Sequence, residues 1–181
     1  MIKDEQLLSN DSIKTDILIA ELKNIIPDHK ALVFSQFTSM LDLLEESLQK
    51  NAIKFTRLDG NTPIDKRQEL VNSFQQDSSP EKVFLISLKA GNTGLNLTAA
   101  DYVFLFDPWW NTAVQQQAID RTHRIGQTKP VFAYQMICKD TVEEKIIQLQ
   151  LLKKKLAEDL IGEEEGFVKS LTETDIEFLF S

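Results

Sequence analysis

Lys30-Ala-Leu-Val-Phe-Ser-Gln-Phe37 places four apolar residues in a row, Ala31 to Phe34, between a lysine and a serine. The run is short and branched enough to be a strand buried on both faces, as parallel sheets require. On its N-terminal side, Ile13, Ile17, Ile19, Ala20, Leu22 and Ile25 recur at mainly helical spacing until Pro27 stops them. On the other side Phe37, Met40, Leu41, Leu44 and Leu48 share one helix face. Further strands are expected at Ile53 to Leu58, Val83 to Ser87, Tyr102 to Phe106 and Val131 to Ile137. Helices are expected at Pro63 to Phe74, opened by Thr62 and Pro63, at Thr112 to Arg124 and, long and amphipathic, at Thr141 to Leu160. Strands alternating with helices at this spacing predict an α/β fold, an open, mostly parallel sheet with helices on both faces.

Ligands of such sheets bind beyond the carboxyl ends of the strands. Ser35-Gln36, Asp59-Gly60, the loop Ser87 to Gly94 and the turn Asp107 to Asn111 each follow a predicted strand directly. Nearly all the polar, glycine-bearing and tryptophan-bearing loops therefore gather at one edge, the expected address of a functional site.

Composition narrows the class. Hydrophobic residues at 42% and charged residues at 27% are ordinary for a globular domain, and 181 residues suffice for one sizeable core. No apolar run approaches the roughly 20 residues that cross a bilayer, and the first residues do not resemble a signal peptide, so no membrane partner is expected. A single cysteine, Cys138, excludes an internal disulfide and favours a reducing setting; with His29 and His123 widely spaced, no metal site is expected. The net charge of −8 is concentrated at the end, where Glu158 to Ser181 carries eight acids and one lysine. The preceding body is nearly neutral, which leaves room for a local basic groove.

Gln117-Ala-Ile-Asp-Arg-Thr-His-Arg-Ile-Gly-Gln127 carries Arg121 and Arg124 three residues apart on the predicted helix, so both guanidinium groups would leave nearly one face. Such a fork suits a phosphate whose charge must be stabilised; a solvated face paired with Asp120 would use the same residues. Ser87 to Leu97 sets Gly91 and Gly94 beside Lys89, Thr93 and Asn96, a pattern that serves either an anion or a structural turn. Trp109 and Trp110 follow Asp107-Pro108; one is expected in the core and the other against sugar or base, with core packing for both as the alternative.

In order and spacing these pieces resemble the C-terminal ATPase lobe of Swi/Snf-type DNA translocases, within helicase superfamily two. The matching stretches are Lys30 to Phe37, Arg57-Leu-Asp-Gly-Asn-Thr62 with Arg67 and Phe74, Ser87 to Asp101, Asp107-Pro-Trp-Trp-Asn111 and Gln117 to Gln127, and the likeness runs from about residue 13 to 160. It implies a RecA-like lobe over 13–140; residues 1–12, polar with scattered apolar residues, read as a mobile lead-in. A brace helix over 141–161 and an acidic tail with a short helix over 162–181 would complete the chain. It implies arginine fingers at Arg121 and Arg124, reaching ATP and Mg held mainly by a preceding lobe of the same polypeptide. Gly91, Gly94, Asn96 and Gln117 would lie by the nucleotide; Ser35, Gln36, Arg67, Lys89, Thr93, Trp110 and Asn111 would lie on or near the backbone of double-stranded DNA. Asn92 stands where a glycine is common and Thr112 where a proline is common. The brace is expected to carry its apolar stripe on Val142, Ile146, Leu149, Leu152 and Leu156.

A Gly-x-x-x-x-Gly-Lys-Ser/Thr loop occurs nowhere in the chain, and neither does a metal-binding Asp-Glu-x-His after a strand. The isolated chain is therefore expected not to turn over ATP. Met1 reads as the start of an excised piece, and the ending Leu171 to Phe180 resembles bacterial members; a bacterial protein would work in the cytoplasm at the nucleoid, a eukaryotic one in the nucleus. An unknown protein target on DNA is the remaining partner. The alternative is a module that keeps the lobe fold and binds DNA or protein without motor activity.

Overall fold

A computed structural model of the chain describes residues 12–91, 95–109, 112–120, 127–159 and 172–180. Among them five strands, β1 (Ala31–Ser35), β2 (Phe55–Leu58), β3 (Val83–Ser87), β4 (Tyr102–Leu105) and β5 (Phe132–Gln135), form one sheet in the order β2-β3-β1-β4-β5. Every neighbouring pair is parallel. Helices α1 (Ile13–Ile25), α2 (Thr38–Lys50), α3 (Ile64–Gln75), the short α4 (Leu88–Gly91), α5 (Thr112–Ile119), α6 (Val142–Asp159) and α7 (Glu173–Phe180) make up the rest.

The apolar run Ala31 to Phe34 lies in the middle strand, β1. All five residues of β1 are buried, as are all five of its neighbour β3. Their side chains alternate between two cores. Leu32, Phe34, Phe84, Ile86, Val103 and Leu105 pack beneath Val71 and Phe74 of α3 with Trp109 and Ala118. Ala31, Val33, Val83, Leu85 and Phe104 pack beneath Leu18, Ile19 and Leu22 of α1 and Leu41, Leu44 and Leu48 of α2. Each fully buried Leu, Ile, Val or Phe among them contributes about 1.5–3 kcal/mol.

Two expectations change at the periphery. The last strand covers only Phe132–Gln135, and all four residues are exposed because β5 is an edge with one neighbour. Phe132 and Tyr134 still lean on that neighbour, their rings 5.2 Å from Tyr102 and 5.4 Å from Phe104. The expected apolar stripe of the brace is only half used. Ile146 and Leu149 are buried with Leu179 of α7, whereas Val142 and Leu152 are 43% and 58% exposed; the Leu156 side chain lies outside the described residues.

Polar anchors hold α6 instead. Glu143 accepts the buried Lys14 ammonium on both carboxylate oxygens at 2.7 Å and the Cys138 amide at 2.9 Å. The Thr141 hydroxyl accepts the Glu143 amide at 3.2 Å, so the helix starts where the anchor sits.

Candidate nucleic-acid interface at the carboxyl edge of the sheet

Parallel strands deliver their carboxyl ends to one edge, and there β1 and β4 are stitched together by Asp107. The carboxylate, 6% exposed, accepts the Ser35 hydroxyl at 2.5 Å and the Gln36 amide at 2.9 Å. The Ser35 oxygen in turn accepts the Phe37 amide at 3.1 Å. One residue further on, the Gln36 side chain donates to the Pro108 carbonyl at 2.7 Å. A buried carboxylate is tolerable only when hydrogen-bonded, and here neutral donors surround it.

Beside this stitch lies an open cleft of about 240 Å³ lined by Gln36, Phe37, Thr38, Ser39, Gly60 and Ser87. It collects the exits of β1, β2 and β3 in front of the first turn of α2. That helix has no capping side chain at Phe37 and no acid in its first turn, and the nearby Asp107 carboxylate is spent on the Gln36 amide and the Ser35 hydroxyl, so the first-turn amides face the cleft without a side-chain acceptor of their own. Hydroxyls, an amide and a helix N-terminus are the groups that hold a phosphate. Gly60 has nothing within 4 Å of where a Cβ would stand, so the wall there is open.

The loop after β2 is rigid by construction. Arg57 donates to Asp42 at 2.6 Å and to Glu45 at 2.9 Å on α2, and its Nε donates to Asp59 at 3.0 Å. Burial works against its charge, but these carboxylates outweigh burial and raise its pKa above the ordinary arginine value. Arg67 donates through Nε to the Thr62 carbonyl at 2.9 Å, closing the same turn from α3.

Of the described residues proposed from sequence to touch DNA or nucleotide, Gln36 lines the cleft, beside Gly60 and Ser87 from the loops expected at this edge. Ser35 is fully buried and its hydroxyl is committed to Asp107, so it presents no atom to a ligand and acts only through what it holds. Arg67 is half-buried against its own turn; Gly91 ends α4; Asn96 and Gln117 are exposed, the Asn96 carbonyl accepting Gln75 at 3.1 Å. Lys89 has its backbone in α4. Arg121, Arg124, Thr93, Gly94, Trp110 and Asn111 lie outside the described residues, as does the departure at Asn92. Trp109 is the core tryptophan, its ring edge-on to Phe34 at 6.1 Å.

Sequence reading placed Gly60 and Asp107 in the loops of this edge without giving them a role, and missed Ser39. The available signal was position: each follows a strand end by a few residues. Among the described residues no three His, Cys, Asp or Glu side chains gather as a metal-ligand group, and no described helix is long and apolar enough to cross a membrane.

Residues 13–126 match the model of the helicase conserved C-terminal domain. A DNA repair protein RAD5 from Cryptococcus neoformans is 45% identical over 162 residues, covering 90% of this chain and 13% of that protein. An ATP-dependent helicase rhp16 from Schizosaccharomyces pombe is 44% identical over 152 residues, covering 84% of this chain and 18% of its own length. The crystal structure of the C-terminal part of the Fun30 ATPase domain superposes with a TM-score of 0.73 at 46% identity, covering 76% of this chain and 45% of that one. This chain thus spans under a fifth of the length of those two relatives. Both are eukaryotic, and the expected bacterial source finds no support in them. The parallel sheet, the polar loops at its carboxyl edge and these matches together place the chain in the helicase conserved C-terminal domain family, in its Swi/Snf-type branch.

Proposed function

We propose that this chain is the second lobe of an ATP-dependent translocase on double-stranded DNA, gripping the DNA backbone at the carboxyl edge of its sheet and completing an ATP site held mainly by a preceding lobe. The observation that carries this reading is the cleft in front of α2, built from neutral donors and an uncapped helix N-terminus. Such groups position a phosphate without reading a base, which is what a motor moving along any sequence needs. Gln36 lines the cleft; Ser35 and Asp107 hold it; Lys89, Thr93, Trp110, Asn111 and Arg67 extend the contact.

The nucleotide half of the reading rests on Arg121 and Arg124 as transition-state donors to phosphate, with Gly91, Gly94, Asn96 and Gln117 around them. The described residues offer no metal-ligand group and the chain no phosphate-cradling loop, so ATP and Mg need the other lobe. Relatives named as DNA repair proteins and ATP-dependent helicases support the same class. Their eukaryotic sources favour a nuclear setting, and residues 141–161 serve as a brace towards the first lobe. An unidentified protein on DNA would be the cargo.

Phosphate release by the full-length protein, with duplex DNA, single-stranded DNA, RNA or no polymer, tests this. Duplex stimulation is expected, and Arg124→Ala should cut the rate by about 10³ or more while DNA affinity stays within a few fold. The 181-residue chain alone should show no multiple turnover. A full-length protein that binds duplex without stimulation would be a binding module, and stimulation by RNA alone would move it to another branch of the superfamily.

A further inference from the structure

We infer that Gln150 is a positioning residue that fastens α6 to the loop leaving β4, so that the helix and the DNA grip are set by one hydrogen bond; the DNA half of this rests on the function proposed above. Gln150 lies in the middle of α6 and is 8% exposed. A buried amide is costly unless bonded, and its Nε2 donates to the Trp109 carbonyl. The carbonyl one residue earlier, on Pro108, accepts the Gln36 amide at 2.7 Å. Two successive carbonyls of the loop are thus gripped by glutamines from two elements, one on the cleft wall and one on α6.

Core packing of Trp109 places this part of the loop as well, but without a polar tie of its own. The Trp109 indole nitrogen is buried and has no hydrogen-bond partner in the structure, so its ring is located by packing against Phe34 and its neighbours alone. On α6, Gln150 lies seven residues after Glu143, two turns along the same face, and Ile146 sits between them. That face is therefore bound to the lobe by a carboxylate on Lys14 at one end and an amide on Trp109 at the other, about 10 Å apart along the axis. Leu151 and Leu152 beside Gln150 are 64% and 58% exposed, and the buried Ile146 and Leu149 pack with Leu179 of α7, so the Gln150 amide is the polar tie between this turn and the Trp109 loop. A displacement of α6 reaches the loop through Gln150, and a displacement of the loop returns the same way.

The chain has two tryptophans, Trp109 and Trp110, so its intrinsic fluorescence reports on this loop. Gln150→Leu and Gln150→Met keep the bulk and remove the donor. Leu149→Ala loosens the neighbouring turn without touching the donor. In the 181-residue chain, both Gln150 variants should raise quenching of tryptophan by acrylamide, whereas Leu149→Ala should not. In the full-length protein they should raise the duplex concentration for half-maximal stimulation about 5- to 10-fold, the loss of one well-placed hydrogen bond, with the rate at saturating duplex within twofold. Unchanged quenching in folded Gln150→Leu, or the same quenching change in Leu149→Ala, would overturn the inference. A wild-type protein deaf to duplex DNA would remove the proposed function instead, and the quenching comparison would still decide whether Gln150 places the loop.

Discussion

Two aspartates bracket β4, Asp101 before it and Asp107 after it, and both are buried, at 2% and 6% exposure. Their partners differ. Asp101 meets an imidazole and an ammonium: His29 Nδ1 lies 2.5 Å from its carboxylate and the Lys129 ammonium 3.8 Å, while the Lys30 amide donates at 3.4 Å. Asp107 meets a hydroxyl and an amide. At the amino edge the acid closes a joint between the starts of β1 and β4 and Lys129 before β5, and the amide of Phe132, the first residue of β5, donates to the Asp101 carbonyl at 2.8 Å. At the carboxyl edge the acid orients a loop and leaves the cleft beside it open. One strand thus carries an end closed by a joint and an end beside an open cleft, the edge proposed to grip DNA, and the chemistry of the partners tells them apart.

Asp101→Asn should cost the most stability, about 2–3 kcal/mol, because it removes a buried carboxylate that several elements share. The duplex-stimulated rate per folded molecule should stay within twofold. Chemical denaturation paired with active-site-normalised phosphate release checks both, and a large loss of rate at preserved stability would break the contrast between the two ends. Asp107→Asn should cost less, about 1–2 kcal/mol, yet weaken the response to duplex more than Asp101→Asn does, since Gln36 and the Pro108 segment lose their common anchor. If the two variants lost stability and DNA response in the same proportion, the two ends would be alike in kind.

The smallest effect concerns Lys30, beside the end closed by a joint. Its ammonium donates to the Phe74 carbonyl at 2.5 Å and the Gln76 carbonyl at 2.6 Å, closing the end of α3. Burial, with the charge of Lys82 adding to it, holds its pKa below the ordinary 10.5. The unfolded chain therefore binds this proton more tightly than the folded one. The resulting penalty on folding is fully present below the depressed value and is relieved as pH rises through it towards 10.5. Stability should climb gently across that alkaline window, and Lys30→Met should flatten the climb. An unaltered slope in the denaturation midpoint would assign it to other groups.

The sheet was legible because its signal is local. Ala31–Ser35 and Val83–Ser87 announce themselves as apolar runs, and the helices before and after them by their spacing, so six of the longer elements fall within a few residues of their expected ends. The gathering of polar loops at one edge follows from parallel strands alone. What sequence could not carry was the partner of each polar side chain. Nothing near Ser35 says that its hydroxyl is spent on a residue 72 positions away, and nothing near Gln150 says that a glutamine in an amphipathic helix is buried on Trp109. The same blindness explains the brace, whose apolar stripe reads as continuous while Val142 and Leu152 face outward. Periodicity records which residues share a face; only the tertiary structure decides how far the neighbouring surface extends beneath it. Sequence by itself determined an α/β lobe with its polar loops at the carboxyl edge, because hydrophobic period and strand direction are properties of short segments. The assignment of buried donors to acceptors, and with it the division of β4 into two ends of different kind, was left to the packing of segments far apart in the chain.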